Sequence, residues 1–328
     1  MKITMAHGSG GRETGKLIRE IFEANFRNEI LSRMEDSAVV EGSGRIAVTT
    51  DSFVVTPLFF PGGDIGRLSV CGTVNDLLMS GALPRYLTCG FIIEEGADSE
   101  ELSRIAASMA QTAREAGVLL VAGDTKVVEG SGGVYINTAG VGFVPEDAHI
   151  SASNCREGDA VLVSGYLGEH HAAILSSRMG IENEIVSDCA PLGDMVASMQ
   201  KAGVRIHAMR DVTRGGLATV LHEFAVSSRC CVELEQKALP VSGAVQGFCG
   251  LLGLDPLYMG NEGKMVAVVE AEDAPLALEC MKNSRYGAHA ACVGRITSTE
   301  EGKVLLHTGV GGIRAVSELI GEGLPRIC

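Results

Sequence analysis

At 328 residues the chain is long enough for two domains of ordinary size. With 46% hydrophobic residues, no Trp and 4% aromatics, its cores must be mainly aliphatic. A formal net charge of −14 argues against a nucleic-acid partner, which needs a basic face, but leaves room for a nucleotide, which needs only local amides, a few cations and a metal.

The predicted elements alternate. A helical stripe runs over residues 13–26, with apolar positions 17, 18, 21 and 22. Residues 45–55 read as a strand, 64–80 as a helix and 85–94 as a strand. The clearest helix is 99–116, with Leu102, Ile105, Ala106, Met109, Ala110 and Ala113 on one face. Asp98 and Glu101 give it capping-box spacing. Strands follow at 118–128 and 134–144. Pro145-Glu146-Asp147 and the polar stretch 151–159 break the pattern like a linker. Beyond it, a buried-type strand starts at Ala160. Helices are expected at 168–179, 194–203, 215–228 and 274–285, and strands near 231–235, 264–270, 289–297 and 303–308. Two α/β domains with a boundary near 150–157 are expected.

The ten cysteines form no CxxC and no zinc-finger spacing. Met1 to Met5 runs straight into His7 and glycines without signal-peptide character, and no apolar run reaches membrane-spanning length. A reduced, cytoplasmic protein that engages no membrane is expected.

Several motifs carry chemistry. His7-Gly8-Ser9-Gly10-Gly11-Arg12 precedes a helix, where backbone amides can meet phosphate; a plain N-terminal loop reads equally well. Asp51, Asp76 and Asp124 sit at predicted strand–loop junctions, and Asp76 interrupts the apolar run Leu68–Met79. Singly, each would be a turn cap. Together, with Lys126 two residues after Asp124, they favour a metal–nucleotide site, since Mg²⁺ takes one or two carboxylates plus phosphate oxygens. Asp124 and Lys126 share a strand face, as a surface ion pair or as a device that aligns phosphates. Asp211-Val212-Thr213-Arg214-Gly215-Gly216 opens a helix. Asp211 or Thr213 is its expected cap, and Arg214 at the positive helix end should serve an anion. Asn261-Glu262-Gly263 enters a strand. His170 and His171 point about 100° apart on a helix, so the two are not expected to chelate together.

The sequence ends Gly321-Glu322-Gly323-Leu324-Pro325-Arg326-Ile327-Cys328. Glycines loosen this segment, Pro325 stiffens it, and a thiol closes it. Extended, eight residues reach at most about 29 Å. Arg326 would favour the thiolate and the terminal carboxylate would disfavour it.

Taken in order, His7–Gly11, Thr49–Val55, Asn75–Pro84, Gly123–Val128, Ser164–His170, Asp211–Gly216, Asn261–Gly263 and Pro325–Cys328 closely resemble the HypE family of hydrogenase expression/formation proteins, also called carbamoyl dehydratases. That family lies within the aminoimidazole ribonucleotide synthetase-like (PurM-like) group of ATP-using enzymes. The likeness covers residues 7 to 328, and the ending is its most specific piece. Where the family usually has glycine after His170, this chain has His171.

The resemblance implies an α/β (α+β) two-domain fold. Residues 1–150 would form an ATP-binding and dimerisation domain whose strands join a twofold mate's in a shared barrel. Residues 151–320 would form a mixed α/β domain, and 321–328 a mobile tail bearing the reactive cysteine. The implied activity is ATP-dependent dehydration of an S-carboxamide on Cys328 to S-cyanide, for the cyanide ligands of [NiFe]-hydrogenase iron. A carbamoyltransferase, HypF, would load the thiol, and an iron-carrying HypC–HypD complex would accept the cyanide. Cys328, Lys126 and Glu262 would be catalytic, with Glu262 or His149 as base. Gly10, Gly11, Asn75, Asp76, Asp124, Thr125 and Asp211 would bind ATP, and Asp51, Asp76 and Asp124 would hold Mg²⁺. Competing readings are a selenophosphate synthetase, a thiamine-phosphate kinase, or a non-catalytic nucleotide-binding assembly partner. A selenophosphate synthetase would carry a reactive residue near the N-terminal glycine loop, and residues 1–20 contain no cysteine.

Overall fold

The computed structural model describes residues 2–8, 12–33, 40–42 and 44–317. Gly10, Gly11 and the 321–328 segment with Cys328 lie outside the described residues. The expected first helix is split: α1 (Arg12–Leu17) passes into a π-helical stretch, Ile18–Glu23, and closes as α2 (Ala24–Phe26). The π stretch buries Ile21 and Phe22, and the Phe22 ring sits 4.5 Å from that of Phe91.

Alternating residues then build half-buried strands. β1 (Ile46–Phe53) is followed by the short ribbon β2 (Phe59–Phe60) and β3 (Gly63–Asp64), then α3 (Ile65–Met79), β4 (Leu83–Glu94), α4 (Ser99–Ala116), β5 (Leu119–Val128) and β6 (Val134–Phe143). The main sheet has the order β1-β6-β4-β5, antiparallel except for β4 and β5. That parallel pair is joined through α4, as a parallel connection requires. Asp98 caps α4 by accepting the Glu100 N–H at 2.9 Å, and Gly117 ends it in the left-handed region at φ 69°. Leu102, Ile105 and Met109 are fully buried beneath it, each worth about 1.5–3 kcal/mol.

After the break, β7 (Ala160–Val163), α5 (Glu169–Met179), α6 (Gly193–Lys201), β8 (Ile206–Asp211), α7 (Gly216–Ser228), β9 (Cys231–Glu235), α8 (Gly243–Leu252), β10 (Met265–Val269), α9 (Ala274–Asn283), β11 (Ala291–Thr297), β12 (Lys303–His307) and β13 (Ile313–Ala315) complete the chain. The second sheet runs β13-β12-β9-β11-β7-β10-β8. α6 and α9 cover one face, and α7 the other. Each of β7 and β10 is buried throughout, as strands covered on both faces should be.

α3 joins the two halves. It packs on β1, β6 and α4 on one side and on α6 and β8 on the other. Nearly every residue of it is buried, which explains its lack of an apolar stripe. One apolar core therefore continues from the first sheet through α3 to α6, α9 and the second sheet. The expected cap of α7 is corrected: neither Asp211 nor Thr213 caps it. Its N-cap is Gly215 at φ 78°, with no side-chain bond.

Candidate active site

Asp51, Asp76, Asp211 and Glu262 meet where α3 crosses between the sheets. Asp51 comes from β1, its Oδ1 accepting the Ser52 N–H at 2.8 Å. Its other oxygen lies over Gly72, one helical turn before Asp76. Asp76 is held by the Thr49 hydroxyl at 2.8 Å. Asp211 ends β8, in register with Met265 of β10, and Glu262 lies on the loop entering β10.

The electrostatics are those of acids forced together. Burial, and then the neighbouring Asp76, raise Asp51 above the usual carboxylate range. Burial raises Asp76, opposed by Thr49, Arg210 and Arg214. Asp211 is pushed to about 7 by burial and by Asp76 and Asp51. Burial raises Glu262 well above its ordinary value, with Cys189, Asp211, Asp188 and Asp51 adding to it. Arg214 therefore faces acids of its own chain. The donor set of hard oxygens with raised proton affinity suits a divalent cation, whose charge would replace the protons.

Asp124 does not join this group, which corrects the expected metal set within one chain. It lies on β5, at the opposite edge of the sheet from β1. Along one register row, Asp51 faces Thr138, Thr138 faces Cys89 and Cys89 faces Gly123. Three strand spacings amount to about 14 Å, too far for one ion. Asp124 is 67% exposed, with Lys126 Nζ 2.5 Å from its Oδ2 and holding it below its usual range. Thr125 is half-buried beside it.

Asn75 is also committed differently than expected for a ligand. Its Nδ2 donates to Ala190 O at 3.0 Å and its Oδ1 accepts from Leu192 N at 3.0 Å, so its amide pins the 190–192 loop to α3. Asn261 accepts from Gly168 N at 2.7 Å and donates to Val212 O at 3.0 Å, tying three loops together. Exposed His149 makes its described bond through its carbonyl, to Asn154. Buried His170 bonds Ser187 Oγ at 2.7 Å through Nδ1. His171 takes the usual helical position on α5, and burial lowers it to about 4.

A cleft of about 670 Å³ opens between the domains and is lined by Asp188, the residue that accepts from the Glu262 N–H. Its walls include Arg67, Glu115, Glu169, Asp188, Lys264 and Tyr286. Arg67 links the domains, donating to Glu115 at 2.9 Å and to Cys189 O at 2.8 Å. Sequence reasoning missed Arg210, Asp188, Lys264 and this wall. Only Lys264 carried a signal, as the cation closing the Asn261-Glu262-Gly263 motif.

The AIR synthase related protein models match this chain, the N-terminal domain at residues 34–144 and the C-terminal domain at 156–307. Carbamoyl dehydratase HypE of Rhodobacter capsulatus is 46% identical over 335 residues, covering 100% of this chain and 98% of the relative. The chain belongs to the HypE family of carbamoyl dehydratases. A crystal structure of the hydrogenase maturation protein HypE in complex with ATP matches with a TM-score of 0.96 and 45% identity, over 99% of both chains. HypE in a HypE–HypF complex matches with a TM-score of 0.81 and 46% identity, over 92% of this chain and 99% of that one. The family's two-domain PurM-like α/β fold is the one described above.

Proposed function

We propose that this HypE-family chain dehydrates a carboxamide on the Cys328 sulfur to a nitrile at the expense of ATP, supplying cyanide for [NiFe]-hydrogenase iron. Full-length similarity to carbamoyl dehydratases, joined to the acidic cluster of Asp51, Asp76, Asp211 and Glu262, carries this reading. The amide oxygen is a poor leaving group. Its attack on the γ-phosphorus forms an O–P bond, releases ADP and gives up one N–H proton. Breaking the C–O bond then releases phosphate, the second N–H proton leaves, and the C≡N bond is complete. Both protons come off one nitrogen, so a base must stand there. Glu262, buried and with raised proton affinity, supports that role better than exposed His149.

Asp51 and Asp76, with Asp211 beside them, would hold Mg²⁺, which when bound neutralises phosphate charge. Gly10, Gly11 and Thr125 would meet phosphate through backbone and hydroxyl, and Lys126 would offset negative charge. ATP binding by the relative with a TM-score of 0.96 supports ATP here, and the HypE–HypF complex supports a HypF-like carbamoyltransferase as loader. An iron-carrying HypC–HypD-like complex would receive the cyanide, in the cytoplasm.

The position of Asp124 bears on assembly. Ile46, Val48, Ile92 and Tyr135 are exposed on the sheet that α3 and α4 cover from the other side. Two such sheets closing into a barrel about its long axis would set β5 of one copy beside β1 of the other. The partner subunit's Asp124 and Lys126 would then complete the site begun by Asp51 and Asp76. The reading is tested by the intact mass of the C-terminal peptide after incubation with carbamoyl phosphate, ATP and the partner transferase. A carboxamide that then loses one water supports it; a carboxamide that persists while ATP is consumed overturns it.

A further inference from the structure

Glu262 is held from behind by a loop that the reaction outlined above does not use. Its backbone N–H donates to Asp188 Oδ1 at 3.1 Å, and its carbonyl accepts from Ala190 N at 3.4 Å. The next residue has no room for a side chain, since a Cβ on Gly263 would lie 1.9 Å from Asp188 O. The Asp188 side chain is 0% exposed. Its second oxygen, Oδ2, is buried, has no hydrogen bond among the described residues and lies 3.4 Å from Lys264 Nζ. Lys264 is itself buried, its Nζ 3.4 Å from Gly263 O. Glu169, at the start of α5, lines the same wall of the cleft.

A buried carboxylate and ammonium are a poor way to stabilise a fold. Packed apolar side chains of similar volume serve at least as well, while removing one partner leaves an uncompensated charge. The arrangement has a different product: it fixes one backbone. The Asp188 bond goes to the amide of Glu262, and the Lys264 ammonium, 3.4 Å from the other oxygen, holds the carboxylate in that orientation. A base that must take two protons from one nitrogen in turn has to return to the same position between transfers.

We propose that Asp188 and Lys264 are positioning residues for the dehydration: Asp188 clamps the Glu262 backbone so that its carboxylate faces the carboxamide, and Lys264 holds Asp188 in place through its other oxygen. This rests on the reading of Glu262 as the base. The test uses the full chain loaded with carboxamide, single-turnover ADP release at saturating Mg-ATP, and nucleotide affinity measured separately by calorimetry. Asp188→Asn and Lys264→Met should each slow the turnover about tenfold, about 1.4 kcal/mol in the barrier. Nucleotide affinity should stay within about twofold. Lys264→Arg should recover most of the rate, and the double variant Asp188→Asn/Lys264→Met should be no slower than the worse single one. Wild-type rates for both single variants, losses that multiply in the double variant, or a loss confined to nucleotide affinity would overturn the proposal. Glu262→Gln separates the two readings. If it is inert while Asp188→Asn runs at full rate, only the positioning proposal fails; if it runs at full rate, the base assignment fails. Should Asp188→Asn not fold, the Lys264→Arg and Lys264→Met comparison leaves Asp188 in place and decides the matter.

Discussion

Buried carboxyls dominate the chemistry at the level of single residues, and they set a direction for stability against pH. Asp211 titrates near 7 in the fold against 3.8 for an ordinary aspartate. Glu169 is moved to about 7 from 4.5, mainly by burial. Between those values the folded chain holds protons that the unfolded chain has released. Their stabilising contribution is complete below about 4 and lost as pH rises through about 7. The melting temperature of protein free of nucleotide and divalent ions should therefore fall from pH 5 to pH 8 in scanning calorimetry. Asp211→Asn should flatten that slope, and an unchanged slope would mean that Asp211 is ionised throughout. Asp76→Asn keeps an acceptor for the Thr49 hydroxyl but removes a hard anionic ligand. It should lower ATP turnover by roughly tenfold or more while moving the melting temperature only slightly. Cys328→Ala should leave folding intact and abolish S-cyanide, read by mass spectrometry of the C-terminal peptide. The sequence displayed Asp76 because it interrupts the apolar run Leu68–Met79, and Asp211 because it opens the motif before a helix. It hid Asp188, whose significance depends on a backbone amide more than seventy residues away.

Among the elements, those with a strong period and a cap were readable. Helix α4 has both, and its limits agree with the expected 99–116. α8 was missed because Gly243, Gly247 and Gly250 mimic a loop; Ser242 caps it and Val245, Phe248 and Cys249 bury its face. β8 was missed because His207, Arg210 and Asp211 obscure its pattern; among the described residues it pairs with β10 alone, at the edge of the sheet. α3 was readable as a helix, but its packing was not, because an all-round apolar helix does not say what lies on each side. The turn into α7 yields a test at this level. Gly216 has φ 64°, and a Cβ there would sit 2.4 Å from Leu257 O. Gly216→Ala should destabilise by more than about 1 kcal/mol in urea unfolding, through strain that the backbone of residues 257–259 cannot relieve. A neutral effect would mean that this turn readily takes another path.

The two-domain plan was legible for the molecule as a whole, since the linker composition at 145–159 falls between the two sheets. The partition of the site was not, because strand order cannot be read from spacing: Asp51 and Asp124 look alike in sequence and fold to opposite edges. A homodimer is expected at micromolar concentration in light scattering, and replacing Val48 and Ile92 together with Lys should yield monomers without ATP turnover. A monomeric wild-type chain would remove the proposed partition. That partition also has a genetic consequence. Suppose one allele carries Asp51→Asn and another Asp124→Asn, each inert when expressed alone. In a mixed dimer both lesions fall in one site, and the other site is wholly wild type. Co-expressed in equal amounts with random pairing, the two alleles should complement each other and restore roughly a quarter of normal turnover.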